Sequence, residues 1–183
     1  EVTIMKLKYV ALMLAAALSF GTIMTSCTPK EESQQGVLTS REVDFSNIGL
    51  KYTTPESWME YTKSNNIYPF AYEEDYTIAN IKYNYITPED WKTLSKAEDA
   101  VVIDDYLYPI CEIVVVQTDQ ASKLKSSGLY TTFSSRELIK ENNGVSYYLF
   151  YDYVGSVRNM TDEDVAIYDE ICSGISELAD SFI

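Results

Sequence analysis

The chain contains no histidine among its 183 residues. Histidine is the usual general base near neutral pH and the commonest transition-metal ligand, so serine-histidine and cysteine-histidine catalysis are excluded. Cysteine is scarce, with 3 residues and no Cys-x-x-Cys spacing, which removes the redox and zinc motifs built on paired thiols. Basic residues are outnumbered, 14 Lys and Arg against 28 Asp and Glu, for a formal net charge of −14. Such a surface repels phosphate backbones and anionic headgroups, so no nucleic-acid partner is expected. Long apolar runs are missing as well. The stretch from Val10 to Phe20 is shorter than the roughly 20 residues that a bilayer-spanning helix needs.

What surrounds that stretch is informative. Lys6 and Lys8 precede it and Met24-Thr25-Ser26-Cys27 follows it, the order of a secretory signal. The cleavage site resembles a bacterial lipobox, with Met24 where a Leu is usual, and the resemblance implies lipidation of Cys27. An ordinary secretory signal with an incidental cysteine is the plainer alternative. Residues 1–26 are accordingly read as a signal peptide with Met5 as its start, and 27–42 as the lipidated cysteine and a polar, flexible tether. Residues 43–183 are of a length typical of a single domain. Thr28 after the cysteine, and Lys30-Glu31-Glu32 nearby, resemble Bacteroidota lipoproteins. That implies a lipid-anchored place in the cell envelope, the outer membrane favoured, with the periplasmic face and the cell surface both open.

Periodicity supplies the elements. Ile48 to Thr54, Tyr68 to Glu73 and Ile78 to Ile86 alternate as strands, with Ile81, Tyr83 and Tyr85 on a buried face and Lys82 and Asn84 on a wet one. Thr87-Pro88-Glu89-Asp90 offers a cap, a proline at the first helical position and two carboxylates at the positive end of a helix dipole. The helix that follows should turn Trp91, Leu94 and Val101 to the core and break near Ser95. Ile110 to Thr118 is apolar on both faces, the mark of a central strand, with Glu112 its one charge and in need of a partner. Leu138 to Glu141 and Val145 to Tyr153 flank Asn142-Asn143-Gly144 and form a hairpin. From Thr161 the period lengthens, and Val165, Tyr168, Cys172, Ile175, Ala179 and Phe182 line one face of a closing helix.

The sum is an α+β domain, an antiparallel sheet covered by helices. Gly49 to Trp58, a strand leading into Pro-x-x-Trp, together with the late hairpin and the closing helix, resembles the PsbP-like family over most of 43–183. That resemblance implies an α/β/α sandwich and a binding or assembly role, with no catalytic residues to carry over. Cys111 and Cys172 fall on buried faces of a strand and a helix, where a disulfide and two free thiols are both open.

Other constellations are weak. Ser122 and Lys125 have the Ser-x-x-Lys spacing of penicillin-binding enzymes without that family's other elements, and read as a solvated segment. The acidic runs Glu73-Glu74-Asp75, Asp104-Asp105 and Asp162-Glu163-Asp164 include no EF-hand loop, and read as exposed charge and helix-end stabilisation. The 16 tyrosines, among them Tyr83, Tyr85, Tyr147, Tyr148, Tyr151 and Tyr153 on strands, are first of all sheet packing and secondly an aromatic platform. No catalytic residue, cofactor or metal is expected. The function expected is a membrane-anchored envelope lipoprotein whose non-catalytic domain binds a partner protein or a small ligand. The alternatives are a surface glycan-binding lipoprotein with a Tyr/Trp platform and, third, a carboxylate-based hydrolase.

Overall fold

Apolar side chains on both faces place β5 (Tyr108–Gln117) at the centre of a five-stranded antiparallel sheet in a computed structural model of the chain. The structure describes residues 41–64, 66–72, 74–96, 103–156 and 160–183. The expected signal, Cys27 and the tether up to residue 40 lie outside the described residues, as do Glu73 and Val101.

The remaining strands are β1 (Glu42–Phe45), β2 (Leu50–Thr53), β3 (Ile67–Tyr72), β4 (Ala79–Tyr85), β6 (Phe133–Asn142) and β7 (Val145–Tyr153). β1 and β2 form a separate hairpin, and the large sheet runs β3-β4-β5-β7-β6. The class is α+β, as the periodicities predict. Asn143 (φ 51°) and Gly144 (φ 77°) turn the β6–β7 hairpin with the positive φ angles that a two-residue loop requires. β6 starts at Phe133, well before the expected Leu138. Its charged positions and its register shift between Leu138 and Lys140 guard this edge, as Pro69 guards β3 at the other.

Among the described residues the α-helices are α1 (Trp58–Lys63), α2 (Pro88–Leu94), α3 (Leu129–Thr132), α4 (Asp162–Ser173) and α5 (Ile175–Asp180). Thr87 caps α2 by accepting from the Asp90 N–H at 3.1 Å, and Thr161 and Asp164 form a reciprocal capping box at the start of α4. One face of the sheet carries the larger core, where Tyr83, Ile113 and Leu149 meet Tyr168, Ile171 and Leu178 from α4 and α5. On the other face a 3-10 stretch (Thr118–Ser126) and α3 cover β5 and β7 through Leu124 and Leu129, packed with Val114, Val116 and Phe150.

Further expectations need correction. Arg41 Nε donates to Thr54 O at 3.0 Å and Glu42 opens β1, so ordered structure reaches into the end of the expected tether. Trp58, expected in a loop, begins a helix. Trp91 and Leu94 are only half-buried, because α2 is short and ends at Leu94. The closing helix is two helices, joined at Gly174.

That junction is closely packed. Trp58 is fully buried and its indole N–H donates to Ile171 O at 2.8 Å, which wedges the ring beneath the last turn of α4. A Cβ on Gly174 would stand 2.9 Å from Trp58 Nε1 and 3.0 Å from Pro55 Cβ. Glycine is required here by close approach, since its φ of −75° suits any residue. In an open helix Gly174→Ala would gain about 1 kcal/mol of propensity. Against two rigid buried rings the overpacking cost wins, and the substitution should lose about 1–3 kcal/mol. A denaturant melt reads the sign directly, and a raised midpoint would show that Trp58 and Pro55 yield freely.

Candidate functional site

Alternation on β3 puts Tyr68, Phe70 and Tyr72 on the face of the sheet opposite the main core, and alternation on β4 puts Asn80, Lys82 and Asn84 beside them. The register makes three cross-strand pairs, Tyr72 with Asn80, Phe70 with Lys82 and Tyr68 with Asn84. One strand further in, Glu112 of β5 stands opposite Lys82. The three rings form a ladder, with centroids 6.5 Å apart from Tyr68 to Phe70 and 5.7 Å from Phe70 to Tyr72. Each is half-buried, and the Lys82 ammonium lies 5.8 Å from the Phe70 centroid.

Glu112 anchors the inner side of this patch. It is 2% exposed, and its Oε1 accepts from the Tyr72 hydroxyl at 2.5 Å and from Asn80 Nδ2 at 2.9 Å. Because β4 lies between β3 and β5, the Tyr72 side chain must cross over β4 to make that bond. Burial raises the Glu112 carboxyl above its ordinary range, against the opposing pull of the Asn80 and Tyr72 hydrogen bonds and of Lys82. Burial and the neighbouring carboxyl also raise Tyr72, which keeps its hydroxyl a proton donor.

Among the described residues, the two asparagines are the buried side chains with an unpaired polar atom. Asn80 and Asn84 are both 0% exposed, yet Asn80 Oδ1 and Asn84 Oδ1 accept no hydrogen bond among the described residues. Their amide nitrogens are used, Asn80 on Glu112 and Asn84 on Tyr68 O at 3.2 Å. A buried acceptor left unmade costs about 1–3 kcal/mol. Two such atoms lie on one face, beside the half-buried rings of β3.

The residues singled out by sequence fare unevenly. Asn84, assigned to a wet face, is buried, because the β3 rings close over that side of β4. Trp58 is lost to any aromatic platform by its full burial. Tyr83, Tyr85 and Tyr147 are core, whereas Tyr148, Tyr151 and Tyr153 are half-buried. Ser122 and Lys125 are exposed on the 3-10 stretch. Asp162, Glu163 and Asp164 fill the first turn of α4, at the positive end of its dipole. The carboxyls displaced in opposite directions, Glu112 upward and Asp44 downward by its Ser46 hydrogen bond, belong to different sheets and make no acid-base pair.

Cys111 and Cys172 are both free thiols. Burial pushes the Cys111 thiol well above its usual range and Cys172 up to about 11, so both are protonated near neutral pH and poor nucleophiles. Cys172 lines a groove of about 300 Å³ between β7 and the two closing helices, with Tyr151, Asp152, Ile175 and Asp180. The described groups of Cys, Asp and Glu include none able to hold a metal ion. Among the described residues no helix is long and apolar enough to cross a membrane.

Neither a protein-family model, nor a curated protein, nor a solved structure matches the chain.

The raised carboxyl gives a signed pH dependence. Unfolded glutamate titrates near its ordinary value of 4.5, and the folded chain holds the Glu112 proton to higher pH. The stability this group contributes is thus fully present below about 4.5 and is lost as pH rises through its folded value. Glu112→Gln keeps the acceptor oxygen and removes the titration. Denaturant melts across this range should show the variant gaining on the parent chain as pH rises toward neutrality. A difference that stays flat with pH would contradict the assignment.

Proposed function

We propose that the chain is an envelope lipoprotein, held by lipid on Cys27, whose PsbP-like domain is a non-catalytic module that binds a small polar ligand on the β3–β4–β5 face. The observation that carries this reading is the pair of buried, unpartnered amide oxygens on Asn80 and Asn84, set between the β3 rings and Glu112. Binding sites join apolar or aromatic surface to a few placed polar groups, and this face has both. Among the described residues the large apolar side chains that are exposed, Leu138, Val154 and Ile183, are single residues of the kind that folded surfaces ordinarily carry, so a protein partner has less support. Outer-membrane placement follows from the resemblance of the region after Cys27 and is part of the same proposal.

Two experiments test it. Lipid attachment is read by metabolic labelling with a fatty acid: the parent chain should take up label and Cys27→Ala should take up none. Label retained on Cys27→Ala would end the anchoring claim. Ligand binding is read by nuclear magnetic resonance on the full chain in detergent, with a panel of neutral sugars, carboxylates, amines and amino acids. A ligand should move the side-chain amide signals of Asn80 and Asn84. Shifts confined to the groove at Cys172, or none with any compound, would contradict the assignment of the site.

A further inference from the structure

The groove at Cys172 lies between β7 and the two closing helices, on the face of the sheet opposite the β3 rings, and its chemistry is independent of the reading just given. Its lining sorts into two parts. Ile175 is buried and Tyr151 and Ala179 are half-buried, which gives an apolar and aromatic floor. Around that floor stand three carboxylates, Glu137 from β6, Asp152 from β7 and Asp180 from α5, and the lining holds no Lys or Arg. Among the described residues none of the three is in an ion pair. Lys140 follows Glu137 on β6 but is engaged elsewhere, its ammonium donating to Ile183 O at 2.6 Å.

Charge and size then set the class of occupant. A cleft with apolar walls and one sign of charge concentrates the opposite ion, so these carboxylates, in a chain of net charge −14, draw cations and turn anions away. A bare metal ion does not suit the groove, because the described carboxylates do not gather into a group able to hold one. A cation that meets carboxylates on both the sheet wall and the helix wall needs a carbon frame between its charges. Ile175 and Ala179 would cover such a frame, and the Tyr151 ring offers its face to an ammonium. The volume of about 300 Å³ stands at the lower end of small-molecule sites, which run from about 300 to 1,000 Å³, and leaves room for one small molecule. We infer that this groove binds a small organic diamine, with Glu137 and Asp180 pairing its two ammonium groups from opposite walls. Asp152, whose carboxylate accepts from the Ser135 hydroxyl, is the third acceptor.

Titration calorimetry on the full chain in detergent at low salt tests this, with cadaverine as the diamine, pentanediol as its neutral counterpart and glutarate as the dianion. The parent chain should bind cadaverine and neither of the others, and cadaverine should shift the backbone amide resonances of Ile175 and Ala179. Glu137→Gln and Asp180→Asn should each weaken binding about threefold and together about tenfold, the size expected of exposed ion pairs. Glu89→Gln removes the same charge from the exposed start of α2 and should leave binding unchanged. Equal weakening by Glu89→Gln would overturn the inference, since bulk charge would then be the cause. Pentanediol bound as tightly as cadaverine, or cadaverine not bound at all, would overturn it as well. A lysine-containing peptide bound where the free diamine is not would overturn it in favour of a protein partner. Shifts at Asn80 and Asn84 without shifts at Ile175 and Ala179 would overturn it while supporting the β3–β4–β5 face, so the two readings fail separately.

Discussion

A core filled with tyrosine must find a hydrogen-bond partner for every hydroxyl it buries, and most of this fold is arranged around that demand. The Tyr52 and Tyr83 hydroxyls meet each other at 2.6 Å, joining the small hairpin to the large sheet. Tyr168 of α4 donates to Pro109 O at 2.5 Å, and Tyr147 of β7 to Ile48 O at 2.7 Å. Tyr85 reaches Asp164 Oδ1 at 3.2 Å, next to the capping box of α4. Each bond ties one element to another, so the hydroxyls locate the layers while the rings supply the buried area. Desolvation raises these phenols, which keeps them donors at any ordinary pH.

Against that thorough pairing, the two orphaned asparagine oxygens stand out. The same sheet that satisfies its tyrosines on one face leaves Asn80 and Asn84 incomplete on the other. A fold that needed only to be stable would place apolar residues there, as it does two strands away at Phe150. The polar face with its ring ladder is thus a local departure from the rule that shapes the rest, and departures of this kind concentrate at binding sites.

Much of the fold was legible in the sequence because the periodicities are clean. Alternation in Ile78 to Ile86, the doubly apolar run around Val114 to Val116, the Asn143-Gly144 turn and the two capped helices all follow from local chemistry. The misses have tertiary causes. The stripe from Val165 to Phe182 reads as one helix, and the structure divides it at Gly174, against which Trp58 and Pro55 pack closely. The start of α1 at Trp58 is likewise hidden, since Pro55 and a short polar segment read as loop. The site was half legible. Glu112 was visible as a charge within an apolar strand, and Tyr68, Phe70 and Tyr72 sit at alternate positions that point them to one face. What no pattern reveals is the pairing of those rings with Asn80 and Asn84, because strand register is set by the whole sheet.

The central claim is that Asn80 and Asn84 are kept for a ligand and not for the fold, and the stability of ligand-free Asn84→Leu tests it most directly. The substitution removes an unmet acceptor worth about 1–3 kcal/mol and forfeits one hydrogen bond of about 1 kcal/mol. The account predicts that the variant unfolds at the same denaturant concentration as the parent chain or a higher one. A loss of more than about 2 kcal/mol, larger than that single bond accounts for, would show that the amide is structural, and would contradict the account.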